Sequence, residues 1–146
     1  MRVITGSARG KKLSVCAGDA VRPTPDRVKE ALFSIVQFQV EGRRVLDLFA
    51  GSGQLGIEAL SRGAREAVFV DAGSRPASVV AKNLEGTGLS DRARVWHMDF
   101  AFYLSSDCGM FDLAFLDPPY RTGLLQRALP AVAGHMNPGG TIVCEN

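Results

Sequence analysis

Asp117-Pro118-Pro119-Tyr120 places an acid, two prolines and an aromatic ring directly after the apolar run Phe111–Leu116. The carboxylate and the backbone carbonyls accept hydrogen bonds, whereas neither proline has an N–H to offer and their fixed φ stiffens the turn. The tyrosine presents a flat face on which a base can stack. This combination suits a planar group with an exocyclic NH2. Asp117 and the Pro118 carbonyl can take its two hydrogens and turn the nitrogen lone pair towards an electrophile. Pro119 and Tyr120 complete the candidate catalytic set.

A second segment, Val45-Leu-Asp47-Leu-Phe49-Ala50-Gly51-Ser52-Gly53-Gln-Leu-Gly56, has the order strand, glycine turn, helix start. The G-x-G-x-x-G spacing of Gly51, Gly53 and Gly56 suggests a dinucleotide site. Asp47 points elsewhere, because a carboxylate beside the turn repels a pyrophosphate and favours a cationic ligand, such as the amino and sulfonium groups of S-adenosylmethionine. Asp71 ends the next apolar run, Ala67–Val70, where an acid commonly holds a ribose diol. Asp47, Phe49, Ala50, Gly51, Ser52, Gly53, Asp71 and Ala72 are therefore cofactor-binding candidates.

These residues need a frame that gathers loops at one edge. From Arg43 onwards the pattern alternates strand and helix, with strands near 44–49, 67–71, 94–98, 112–117 and 140–145 and helices near 53–62, 74–86, 99–106 and 122–135. The rhythm predicts an α/β, Rossmann-like parallel sheet with helices on both faces. Asp47, Asp71, Asp99 and Asp117 fall at the carboxyl ends of four of the strands, where open α/β sheets bind ligands. Ahead of the sheet, residues 1–20 suggest a short β-hairpin arm turning at Gly6-Ser7. A helix follows from Pro25 to about Gln37, with Thr24 as its N-cap and Leu32, Phe33, Ile35 and Val36 on its apolar face.

Four segments carry a family resemblance. They are Met1–Gly6 with Arg9-Gly-Lys-Lys-Leu13; Arg22-Pro-Thr-Pro-Asp-Arg27-Val-Lys-Glu30-Ala-Leu-Phe33; Asp47–Gly53 with Leu55-Gly-Ile-Glu58-Ala-Leu-Ser-Arg-Gly63-Ala64; and Asp117–Tyr120. The chain resembles class I S-adenosylmethionine-dependent methyltransferases and, among them, the bacterial family that methylates guanine N2 in 16S ribosomal RNA. The resemblance implies strand order 3-2-1-4-5, with two further strands expected beyond the fifth because members usually run longer. It implies S-adenosylmethionine as cofactor, adenine contacts at Asp99 and Phe100, and Arg22, Thr24 and Arg27 closing over cofactor and substrate. It divides the chain into a basic arm and loop, residues 1–24, and a methyltransferase domain, residues 25–146. The expected partner is 16S ribosomal RNA or the assembling small subunit, met in the cytoplasm by a protein that is monomeric at full length.

Bulk properties narrow the alternatives. The 146 residues are 46% hydrophobic and 22% charged, which fits one globular domain. A net charge of +2 is not by itself a nucleic-acid signal, but residues 1–30 concentrate Arg2, Arg9, Lys11, Lys12, Arg22, Arg27 and Lys29. Arg9, Lys11, Lys12 and Arg22 are the RNA-binding candidates, with a solvated arm as the bland alternative. No segment is long enough for a membrane span, and no signal peptide is expected. Cys16, Cys108 and Cys144 lack metal-ligand spacing, so no metal is expected, and none follows a proline as a pyrimidine-C5 nucleophile would. His97 and His135 look isolated. The rival readings are a DNA adenine-N6 methyltransferase, an NAD-dependent oxidoreductase, and a non-catalytic binding module.

Overall fold

The computed structural model of the chain describes residues 1–16, 24–119 and 122–145. Five strands form one parallel sheet: β1 (Arg44–Leu48), β2 (Glu66–Asp71), β3 (Ala93–His97), β4 (Phe111–Leu116) and β5 (Met136–Cys144), in the order β3-β2-β1-β4-β5. The connecting helices are α2 (Gln54–Ser61), α3 (Ser74–Thr87), α4 (Phe100–Leu104) and α5 (Leu124–Ala133), preceded by α1 (Asp26–Ile35).

Strand parity explains the two-layered core, because successive side chains point to opposite faces. Val45, Ala67, Phe69, Leu113 and Phe115 join one cluster, packed with Phe33 of α1, Leu60 of α2 and Val80 of α3. Their alternating neighbours Leu46, Leu48, Val68, Val70, Ala114 and Leu116 join the other, with Phe100 and Tyr103 of α4 and Val132 of α5. Both faces are covered, so the central strands are continuous apolar runs.

Some expectations need correction. Thr24 does not cap α1: the N-cap is Pro25, without a side-chain hydrogen bond, and Thr24 is buried. Ile35 is 83% exposed, so the apolar face of α1 consists of Leu32 and Phe33, with Val36 buried just after the helix. β5 begins at Met136, earlier than the sequence suggested. Its register shifts opposite Phe111–Leu113, so an irregularity absorbs the Pro138-Gly139-Gly140 stretch that looks like a loop. His135 is not isolated. Its Nε2 lies 2.8 Å from the Leu104 carbonyl and its Nδ1 lies 3.4 Å from Cys108 Sγ, which ties the end of α4 to the start of β5.

The first residues do form a hairpin, with one antiparallel bridge between Arg2 and Lys12. It is clamped rather than free, since Val3, Ala8 and Leu13 are buried in the core. Glu58 of α2 accepts the Ile4 and Thr5 amide hydrogens at 2.9 and 3.0 Å. The Asn83 amide group donates to the carbonyls of both Ser14 and Ser52, so a single side chain joins the arm to the glycine turn.

Candidate active site

Because the strands are parallel, their carboxyl ends and the loops that follow them share one edge. There the chain encloses a cavity of about 880 Å³. Asp47 and Asp71 at the tips of β1 and β2, Asp99 and Phe100 after β3, and Asp117, Pro118 and Pro119 after β4 all line it. Phe49, Ala50, Gly51, Ser52, Ala72 and Thr24 complete the predicted residues found there. Arg27 is exposed and is not among the lining residues. Arg9, Lys11 and Lys12 are exposed on the arm. Arg22 and Tyr120 lie outside the described residues.

The glycines divide the work. Gly53 adopts φ +81° at the start of α2 and is not among the lining residues. A Cβ there would meet Val80 and Phe69, so this glycine faces the core. A Cβ on Gly56 would approach the Phe69 ring to 2.4 Å and Asp47 Cβ to 3.2 Å. Its absence lets α2 lie close on the sheet, and the Gly56 amide donates to Asp47 Oδ2 at 3.0 Å. Phe49 is the non-glycine residue with a left-handed backbone among the described ones, at φ +64°. For a bulky side chain that conformation is strained. It sets the Phe49 ring 5.3 Å from that of Phe100 at the cavity wall.

Asp71 Oδ2 accepts the Gly51 amide hydrogen and its Oδ1 accepts that of Gly73, both at 2.9 Å. It therefore fixes the glycine turn to the tip of β2, and each oxygen keeps a second lone pair. Asp99 caps α4 by accepting the Ala101 amide hydrogen at 3.0 Å. Burial pushes the Asp47 carboxyl well above the usual carboxylate range against the pull of its Gly56 hydrogen bond, and the nearby charges of Asp117 and Asp71 add to the rise. Burial, followed by the charge and hydrogen bond of Glu145, pushes Asp117 up to about 7.

Among the lining residues that sequence reasoning missed are Glu145 and Gln54. Glu145 follows β5, and the expected order that sets β5 beside β4 came from the resemblance without pointing to this side chain. Gln54 is 6% exposed, and its Oε1 is buried without a hydrogen-bond partner in a wall of the cavity. Its place in the glycine turn was the available signal.

The charge balance of this cavity decides what can bind. Asp47, Asp71, Asp99, Asp117 and Glu145 line it, and no lysine or arginine does so among the described residues. Arg127 stacks over the Phe100 ring at 5.3 Å but stays outside the lining. A pyrophosphate finds no cationic partner there, whereas a positively charged, donor-rich ligand finds acceptors on several sides.

Comparison with known proteins agrees with this architecture. The family described as "Conserved hypothetical protein 95" matches residues 1–146. The chain belongs to that family. The Bacillus subtilis protein YlbH is 40% identical over 151 residues, which cover 100% of this chain and 82% of YlbH. Ribosomal RNA small subunit methyltransferase D of Haemophilus influenzae is 36% identical over 149 residues, covering 100% of this chain and 72% of that protein. Among solved structures, a hypothetical protein of Thermus thermophilus superposes with a TM-score of 0.86 at 34% identity, covering 99% of this chain and 84% of that one. Family membership and the class I methyltransferase sheet make this chain a methyltransferase.

Proposed function

We propose that the chain transfers a methyl group from S-adenosylmethionine to the exocyclic N2 of a guanine in small-subunit ribosomal RNA, in the cytoplasm where such RNA is assembled. The observation that carries this reading is the cavity with five carboxyl groups and no cation among its described lining residues, set at the carboxyl edge of a class I methyltransferase sheet. The orphaned Gln54 Oε1 and the buried Asp47 carboxyl fit an ammonium and a sulfonium. The relatives named as small-subunit ribosomal RNA methyltransferases support the choice of substrate.

In this reading Asp71 takes the ribose hydroxyls, Asp99 and Phe100 contact the adenine, and Asp47, Gln54 and the turn from Phe49 through Gly53 hold the amino-acid end. Thr24 contributes to the wall, and Arg22 and Arg27 are assigned to closing over cofactor and substrate. When bound, the cofactor supplies a methyl carbon whose bond to sulfur breaks as it bonds to the base nitrogen, leaving a neutral thioether. The protein's part is to position and to exclude water. Asp117 and the Pro118 carbonyl accept the two N2 hydrogens and favour a lone pair directed out of the ring plane, while Tyr120 stacks on the base. The proton leaves N2 after transfer, so a strong base is not required. Arg9, Lys11 and Lys12 contact phosphates. A buried base must be unstacked to reach this site, at a cost of about a few kcal/mol, which single-stranded RNA loops reduce.

The test offers unmodified small ribosomal subunits, naked ribosomal RNA and DNA to the chain with labelled cofactor, followed by mass spectrometry of the digested nucleosides. N2-methylguanosine from RNA is the expected product. Label found only in N6-methyladenine of DNA would overturn the reading.

A further inference from the structure

Asp117 and Glu145 follow adjacent parallel strands. Leu116 pairs with Cys144 across β4 and β5, and the Glu145 amide donates to the Leu116 carbonyl at 2.9 Å. The two carboxyl groups therefore stand side by side, and both line the cavity. One carboxylate suffices to hold an amine hydrogen. A second acceptor beside it suits a ligand that presents two donors in a row.

Base chemistry identifies that ligand. In adenine the ring nitrogen beside the amine towards the pairing edge is an acceptor, and the same holds for cytosine. Guanine alone places a donor there, N1–H next to N2–H. We propose that Glu145 is a specificity-determining residue that accepts the guanine N1–H while Asp117 accepts the neighbouring N2–H. This inference rests on the guanine-N2 reading above and adds to it the residue that selects the base. A site built to pair a donor rejects an analogue lacking it, because the buried acceptor is then left unpaired.

The groups facing Asp117 agree with the pairing. Glu145 just after β5 and Asp47 on β1 approach it, Asp71 and Asp99 share the cavity, and no lysine or arginine lines it among the described residues. Burial, with Glu145 beside it, raises the Asp117 carboxyl to about 7. A pair of donors on the base compensates the charge of the two carboxyls when it binds.

The test uses the chain with Glu145→Gln. The methylated nucleotide is first mapped with the unaltered chain, and synthetic RNAs then carry guanine or 2,6-diaminopurine at that position. Diaminopurine keeps the N2 amine but has an acceptor at N1. The unaltered chain should prefer guanine, and Glu145→Gln, whose amide can donate to N1, should lower that preference about tenfold or more. Cofactor affinity by calorimetry should fall less than in Asp71→Ala. A carbon-13 carboxyl titration should show the Asp117 midpoint falling in the variant, since the paired carboxyl that raises it is gone. An unchanged guanine preference, or an unmoved Asp117 midpoint, would overturn the proposal. If the unaltered chain methylates no guanine in any RNA, the parent reading fails and takes this one with it.

Discussion

Asp47 accepts the Gly56 amide hydrogen at 3.0 Å while its carboxyl group lines the cavity. One residue thus joins β1 to α2 and, in the proposed reading, offers an acceptor to the ligand. The contact requires a glycine at position 56, because a Cβ there would strike the Phe69 ring. Burial favours the neutral form of the Asp47 carboxyl, and a cation beside it would favour the charged form.

Asp71→Ala should weaken cofactor binding roughly tenfold to a hundredfold, since charge-assisted hydrogen bonds to a ribose diol are worth about 1.5–3 kcal/mol. It also frees the Gly51 and Gly73 amides, so the glycine turn should loosen. Calorimetry together with amide hydrogen exchange checks both effects. Undiminished affinity would remove Asp71 from the site.

Asp117 should make the fold less stable as pH rises. Its carboxyl is raised from the usual 3.8 to about 7, so between those values the folded chain holds a proton that the unfolded chain has released. The contribution is largest below the ordinary carboxylate range and is lost progressively up to about pH 7. Asp117→Asn should flatten that decline and melt a few degrees above the unaltered chain at pH 8. It should also cripple methyl transfer while sparing cofactor affinity more than Asp71→Ala does. Superimposable pH–stability curves would contradict the assignment.

Lys29 of α1 and Glu58 of α2 are both fully buried, with Lys29 Nζ 3.7 Å from Glu58 Oε1 and donating to the Arg2 carbonyl at 3.0 Å. Glu58→Ala leaves Lys29 buried without its counter-charge and releases the Ile4 and Thr5 amides. The expected loss is about 3–5 kcal/mol in urea denaturation, with faster exchange at those two amides. A loss below about 1 kcal/mol would show that the arm is held by its apolar contacts instead.

How much of this was legible follows from how far each partner lies along the chain. The alternating apolar runs of β1, β2 and β4 mark strands buried on both faces, and the acids at their ends are visible in the linear order. Thr24 looked like a cap because its type suits one, yet Pro25 takes that place and Thr24 turns into the cavity wall. Ile35 fits a helical stripe, but α1 ends there and the side chain faces solvent. The pairings of Lys29 with Glu58 and of Asp117 with Glu145 join residues from distant segments, and only the strand order and helix packing bring them together.

Replacing Arg9, Lys11 and Lys12 together by glutamine should weaken RNA binding and lower its salt dependence, because each phosphate contact releases counterions. All three side chains are exposed on the clamped hairpin. The slope of log affinity against log salt should fall by roughly 2–3. An unchanged slope would make the arm an inert solvated face.

The most direct measurement of the central claim, that an acid-lined cavity selects a cationic methyl donor, is calorimetric titration of the chain with S-adenosylmethionine and with NAD, run at several pH values and in buffers of different ionisation enthalpy. The account predicts that S-adenosylmethionine binds with release of a proton and more tightly as pH rises, because Asp47 must ionise beside the cation. NAD, which brings a pyrophosphate to five carboxyl groups, should bind far more weakly. NAD binding as tight as that of S-adenosylmethionine, or cofactor binding without proton release at any pH, would contradict it.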